Sequence, residues 1–151
     1  MSPVPNVTDH PLAGKFSVDY EGVWRHDDTP ITHERTWKYF SGLLACDREG
    51  VCHISDGLVR VDVQVADAAL IVMALRMTDE GIRIFFHDDT NELLKPETIR
   101  FKGGAPYCDV RNCLKARFSR TAWFQLAEHI EEQNGGYVLI VNGKEYPIMP
   151  K

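Results

Sequence analysis

The tetrapeptide His-Asp-Asp-Thr occurs twice, at His26–Thr29 and His87–Thr90. The two copies carry two imidazoles and four carboxylates, donors that suit a divalent cation. The same residues are also turn formers, because Asp and Thr bond readily to nearby backbone after a strand. Turn chemistry is the simpler reading, and no metal site is assigned. Four cysteines, Cys46, Cys52, Cys108 and Cys113, are spaced without any Cys-x-x-Cys pair, which argues against a zinc or dithiol site. Reduced, buried thiols are expected. The alternative is a redox-sensing Cys108 or Cys113, its thiol pKa lowered by Arg111, Arg117 or Arg120.

The basic residues carry the other candidate chemistry. Residues 109–133 read as one long helix ending at Asn134-Gly135-Gly136, where left-handed backbone is free. At about 100° per residue, Val110, Cys113, Leu114 and Phe124 share one arc, and Arg117 falls inside it. A guanidinium turned toward a core must be paired. Its partner is either a structural carboxylate, Asp62 or Asp67, or an anionic ligand. In the second case Arg117, with Arg120 and Arg111, forms a fork for phosphate or carboxylate. Tyr107 either packs or stacks on a base. Gly103-Gly104 lets backbone N–H groups approach an anion. Asp67 and Asn91 follow strands, where they make turns or line a junction. No Walker-type Lys-Ser/Thr and no Gly-x-Gly-x-x-Gly is present, so no known nucleotide loop is implied. Ser41, Ser55 and Ser119 lack the glycines of a nucleophile elbow. His33 is placed in solvent, and no carboxylate pair demands acid–base work. No catalytic residue and no cofactor are assigned.

These side chains need a scaffold. Thr32 can cap a helix of about 14 residues carrying Trp37, Phe40, Leu43 and Leu44 on one stripe. Gly42 within it would mark a close approach by another backbone. Val51–Ser55, the Asp56-Gly57 turn and the alternating Val59, Val61, Val63 and Val65 read as a hairpin. Leu70–Met77 is an apolar run too short for a good helix. Asp79-Glu80-Gly81 turns it into a strand carrying Ile82, Ile84 and Phe86, and a further short strand holds Ile99 and Phe101. Tyr137–Val141 and Lys144–Ile148 close the chain as a hairpin around Asn142-Gly143.

A shift of 86 residues lays Trp37 on Trp123, Phe40 on Leu126, Gly50 on Gly136 and Asp56-Gly57 on Asn142-Gly143. Both stretches read as helix, glycine, strand, turn, strand. The expected fold is therefore α+β, with two helix-plus-antiparallel-sheet repeats sharing one core. The expected organisation is an N-terminal tail or strap over 1–19, a first repeat over 20–66 and a second over 67–151. A cleft where the repeats meet is a common place for a ligand.

The 151 residues are 44% hydrophobic and 26% charged, with a net charge of −5. That composition fits an ordinary globular domain and excludes low-complexity or collagen-like structure. An acidic surface disfavours sequence-independent nucleic-acid binding. No uncharged apolar run reaches the length of a membrane span, and the first residues carry neither a basic start nor an apolar stretch. A cytoplasmic location, with neither nucleic acid nor membrane as partner, is the expectation.

Trp24, Pro30-Ile31, Phe40, Leu44 and Glu49-Gly50 resemble the first half of the bacterial domain-of-unknown-function family 1285 (DUF1285). Pro106-Tyr107, Val110-Arg111, Leu114, Ala116-Arg117 and Arg120 resemble its second half, with Val65–Ala68 and Asp89–Asn91 in the same order. Ser55-Asp56-Gly57, Ala69 and Lys115 depart from the family pattern. The resemblance implies a duplicated α+β core whose second half is loosely like a pleckstrin-homology domain. It also implies a nucleotide-like ligand between the halves and a role in signal transduction. The expected function is that of a non-enzymatic ligand-binding or regulatory domain taking a small anion at Arg117, Arg120, Arg111, Tyr107, Asp67 and Asn91. A protein–protein interaction module without a small ligand is the alternative. A metal-dependent enzyme built on the two His-Asp-Asp-Thr stretches ranks below both.

Overall fold

The computed structural model describes residues 12–148, and the chain divides into two compact units, Met1–Asp67 and Ala68–Lys151. Most of the expected strap, residues 1–11, lies outside the described residues.

Unit 1 holds β1 (Phe16–Val18), β2 (Trp24–His26), β3 (Thr29–Pro30), α1 (Glu34–Leu43), β4 (Ala45–Cys46), β5 (Cys52–Ser55) and β6 (Arg60–Val65). Residues 16–18, expected within the strap, are thus a strand. Asp27 and Asp28 take left-handed backbone, φ 49° and 67°, which lets a two-residue turn join β2 to β3. The Asp27 carboxylate accepts the Lys15 N–H at 2.8 Å. The first His-Asp-Asp-Thr copy is therefore a hairpin turn. Helix α1 is capped by His33 rather than Thr32: the imidazole Nδ1 accepts the Thr36 N–H at 3.3 Å. Phe40 carries the helix onto the sheet, edge-on to Phe16 at 5.1 Å and beside the buried Trp24. Space around Gly42 is open to 4 Å, so no backbone approaches it. In β6, Val63 is buried while Arg60, Asp62 and Gln64 are exposed, the alternation a one-sided sheet requires.

Unit 2 holds β7 (Leu70–Thr78), β8 (Gly81–Phe86), β9 (Asn91–Leu93), a short 3-10 turn (Pro96–Thr98), β10 (Arg100–Lys102), β11 (Ala105–Val110) and β12 (Leu114–Phe118). Then come α2 (Arg120–Ala127), β13 (Ile130–Gln133), β14 (Gly136–Val141) and β15 (Lys144–Ile148). The long helix expected over 109–133 does not form. Its first part is strand, because Cys108, Val110, Leu114, Ala116 and Phe118 alternate into the core and period-two burial in a sheet outcompetes a helical stripe. The turn that joins β11 to β12 is Arg111-Asn112, with φ of 45° and 68°. It contains neither glycine nor proline, so the sequence hides it. The helix is reduced to the eight residues of α2. Ser119 caps it, accepting the Ala122 N–H at 3.1 Å, and α2 packs on β7 and β12.

The two six-stranded sheets share one topology. Their strand orders are β3-β2-β1-β6-β5-β4 and β10-β11-β12-β7-β8-β9. In each, a first meander is followed by a second, and the first strand of one pairs parallel with the last strand of the other, β1 with β6 and β7 with β12. The fold is α+β with a duplicated arrangement. The duplication maps β1–β6 onto β7–β12. The 86-residue shift instead pairs α1–β4–β5 with α2–β13–β14, a local likeness of helix followed by antiparallel strands. A third sheet, β13-β14-β15, follows α2.

Candidate functional site

The second sheet places Tyr107, Lys115, Arg117 and Arg100 on one face. On β12, Leu114, Ala116 and Phe118 turn into the core, so Lys115 and Arg117 turn to the other side. Arg117 therefore lies on a strand, half-buried and facing away from Leu114, Ala116 and Phe118, rather than on the helical stripe with Val110 and Leu114. In register, Arg100 stands opposite Tyr107, Tyr107 opposite Arg117, and Arg117 opposite Ile71. The four side chains form one cross-strand row. The Lys115 ammonium lies 5.0 Å from the centroid of the Tyr107 ring, a cation–π distance. Arg100 donates to Asp109 at 2.7 Å. Tyr107, Ile71, Ala68 and Ala105 make an apolar cluster on this face. At the end of the row, His87 Nδ1 accepts the Ile71 N–H at 3.2 Å.

The other expected site residues do not join this row. Arg111 sits in the β11–β12 turn, where its guanidinium donates to Asp88 at 3.0 Å and to the Thr90 hydroxyl at 2.7 Å. Its backbone N–H donates to the Glu92 carboxylate at 3.2 Å. The Asp88 side chain is 0% exposed, so Arg111 is a structural cation neutralising a buried carboxylate. Asp88 also accepts from the Thr90 N–H and hydroxyl, which makes the second His-Asp-Asp-Thr copy a turn like the first. Among the described residues, no group of three or more His, Cys, Asp or Glu side chains is arranged to hold a metal ion. Asn91 accepts from Arg83 at 2.8 Å on β9. Arg120 is exposed in the first turn of α2, and Asp67 is half-buried after β6. Asp62 lies 3.6 Å from Arg60.

The sequence reading missed Lys115 and Arg100. Their signal is the alternation Leu114-Lys115-Ala116-Arg117-Phe118, which reads as a strand once the turn at Arg111-Asn112 is known.

Cys46 and Cys113 are each in the disulfide form, not reduced as expected. Cys52 and Cys108 are free thiols. Burial pushes the Cys108 thiol up to about 12, with Glu92 and Asp109 adding to the shift. That is the opposite of the lowering a redox-sensing thiol needs. Burial, and then the Asp47 charge, also raise Cys52. The serine hydroxyls serve the backbone: Ser119 caps α2, and Ser55 accepts the Gly57 N–H at 3.0 Å. Among the described residues, no helix is long and apolar enough to cross a membrane.

The architecture defines a class first: an α+β chain carrying two six-stranded sheets of one topology, each built from paired meanders. Solved structures of that architecture exist. A DUF1285 family protein from Silicibacter pomeroyi DSS-3 matches with a TM-score of 0.76 at 21% identity, over 91% of this chain and 80% of that one. A DUF1285 family protein from Shewanella baltica OS155 matches with a TM-score of 0.68 at 16% identity, over 76% of this chain and 91% of that one. The likeness is one of fold, and it is to the family the sequence resembles. No protein-family model and no curated protein matches the sequence.

Proposed function

We propose that the chain is a non-enzymatic ligand-binding, regulatory domain that takes a small anion such as a nucleotide, with a role in signal transduction. The observation that carries the reading is the row on unit 2. Arg117 and Lys115 flank Tyr107, with Arg100 on its far side. Neighbouring strands stand about 4.8 Å apart, so two cationic heads and an aromatic ring fall within the span of one phosphorylated nucleoside. Guanidinium and ammonium donors suit phosphate oxygens, and the buried Tyr107 ring, with the Lys115 ammonium over it, helps hold that cation in place. The site is narrower than the six residues read from the sequence. Arg117 and Tyr107 belong to it, Lys115 is added, and Arg111 supports the scaffold. The non-enzymatic part of the reading is supported by the serines' engagement with the backbone and by the raised Cys108 thiol. A loosely pleckstrin-homology-like reading of unit 2 draws support from a largely antiparallel sheet with one helix packed on it; the parallel β7–β12 pair departs from that plan.

The test is a thermal-shift and calorimetric titration with phosphate, pyrophosphate and nucleoside phosphates. A ligand that binds the native state raises the melting temperature. Nucleoside phosphates should do so, and Arg117→Ala and Lys115→Ala should each weaken binding by about tenfold, as expected for one lost charge-assisted hydrogen bond. If no anion raises the melting temperature, or if both variants bind as the parent does, the reading fails.

A further inference from the structure

A second site lies elsewhere on unit 2 and is independent of the proposed anion row. Phe101 sits between Arg100 and Lys102 on β10. Strand alternation turns its ring to the face opposite theirs. There it meets Trp123 of α2 edge-on, with ring centroids 5.3 Å apart and planes at 83°. The two rings form adjacent walls at nearly a right angle. The third sheet supplies a floor. Glu132 of β13 stands opposite Tyr137 of β14, and Tyr137 opposite Ile148 of β15, so the three side chains lie in one row. Ile130, two residues before Glu132, shares its side of the strand. Together these residues line a cavity of about 490 Å³, within the usual size of small-molecule sites.

The composition selects the ligand. Three aromatic rings line the cavity, and the exposed Glu132 adds a negative charge to the lining. A carboxylate and aromatic faces repel an anion and attract a soft cation. An ammonium bearing alkyl groups fits both features. Its charge is spread over methyls that make dispersion contacts with the rings, and it is weakly hydrated, so little is lost on entering an apolar pocket. A primary ammonium carries a tight water shell and would lose more. The remaining apolar wall, Ile130 and Ile148, accommodates a short carbon arm. We infer that this cavity is an aromatic cage for a small quaternary or multiply alkylated ammonium compound, oriented by Glu132.

The experiment is isothermal titration calorimetry of the full chain with choline, tetramethylammonium and 3,3-dimethyl-1-butanol, the uncharged carbon isostere of choline. Choline and tetramethylammonium should bind saturably, and the isostere at least about tenfold more weakly, because it lacks the cation–π and carboxylate attractions. Glu132→Gln should weaken choline by about five- to tenfold and leave the isostere unchanged. Tyr137→Leu, at a residue 43% exposed, should weaken choline without unfolding the protein, and Tyr137→Phe should not. Equal affinity for choline and its isostere would overturn the inference in favour of a merely apolar pocket. So would undiminished choline binding in Glu132→Gln together with Tyr137→Leu, or no saturable choline binding at all. Co-sedimentation with phosphatidylcholine vesicles in place of choline binding would overturn it too, by placing the same head group on a lipid. Nucleotide titration of the same variants separates the two sites: Glu132→Gln should bind anions as the parent does.

Discussion

At the scale of single residues, two charged pairs have different consequences. Arg111 and Asp88 meet where the carboxylate is fully enclosed. Removing one partner of a buried pair strands the other. Arg111→Ala should lower unfolding free energy by about 3–5 kcal/mol in urea titrations. Arg111→Ala combined with Asp88→Asn should recover part of that loss, since a neutral amide is easier to bury than a lone charge. Asp47 and Arg60, by contrast, are both partly exposed. The Arg60 hydrogen bond at 2.8 Å, helped by N–H donation from Val51 and Glu49, holds the Asp47 carboxyl below its ordinary value of 3.8. A depressed carboxylate stabilises the fold above its unfolded pKa, and that contribution disappears as pH falls through the folded pKa. The stability gap between parent and Arg60→Ala should therefore be present at neutral pH and close below about pH 4, as read from urea midpoints across an acid series.

The same scale separates what the residue types announced from what they concealed. Arg117 was singled out through a helical stripe, and Tyr107 through its place ahead of that helix, and both stand instead on strands. Arg111 looked equivalent to them, yet it serves Asp88, a carboxylate 23 residues away in sequence. Nothing local marks that pairing. His-Asp-Asp-Thr suggested a metal and made turns, because the Asp side chains found backbone N–H donors within their own loop or just ahead of the adjoining strand.

At the scale of elements, the strands with strict alternation were readable. Arg60–Val65, Gly81–Phe86 and the closing hairpin around Asn142-Gly143 lie where the pattern put them. The helical reading of 109–133 failed because Val110, Cys113, Leu114 and Phe124 satisfy a 3.6-residue period by coincidence, while the true breaks are a left-handed Arg-Asn turn and a serine cap. A β-bulge at Val72/Ala74 lies on β7, and Gln125 of α2 accepts the Leu75 N–H at 2.8 Å just beyond it. The short helix thus depends on its cap and on this contact. Ser119→Ala should cost about 1 kcal/mol, measured by thermal or chemical unfolding, with the far-UV signal of the folded state little changed.

At the scale of the whole chain, each unit has its own six-stranded sheet and these two sheets follow one plan. In both, the central pair is parallel and joins two antiparallel meanders, so central strands are hydrogen-bonded on both sides and edge strands on one. Native-state hydrogen exchange should be slowest in β1 and β6 of unit 1 and in β7 and β12 of unit 2. It should be faster in β3, β4, β9 and β10, because exposed edges open at lower free energy than centres. Uniform exchange across each sheet would contradict this topology. The fold shared with DUF1285 structures at 16–21% identity follows the same logic: a meander plan tolerates wide sequence change when burial alternation is kept.

From order of residues alone, the α+β class and most hairpins could be derived, because period-two burial and turn residues are local signals; a duplicated arrangement was read too, but from a shift that overlays a different pair of segments. Which arginine neutralises Asp88, which strands of the two sheets correspond, and that Phe101, Trp123, Glu132 and Tyr137 line one cavity were settled by strand register and helix docking. Those depend on pairings between residues far apart in sequence, and no local pattern encodes them.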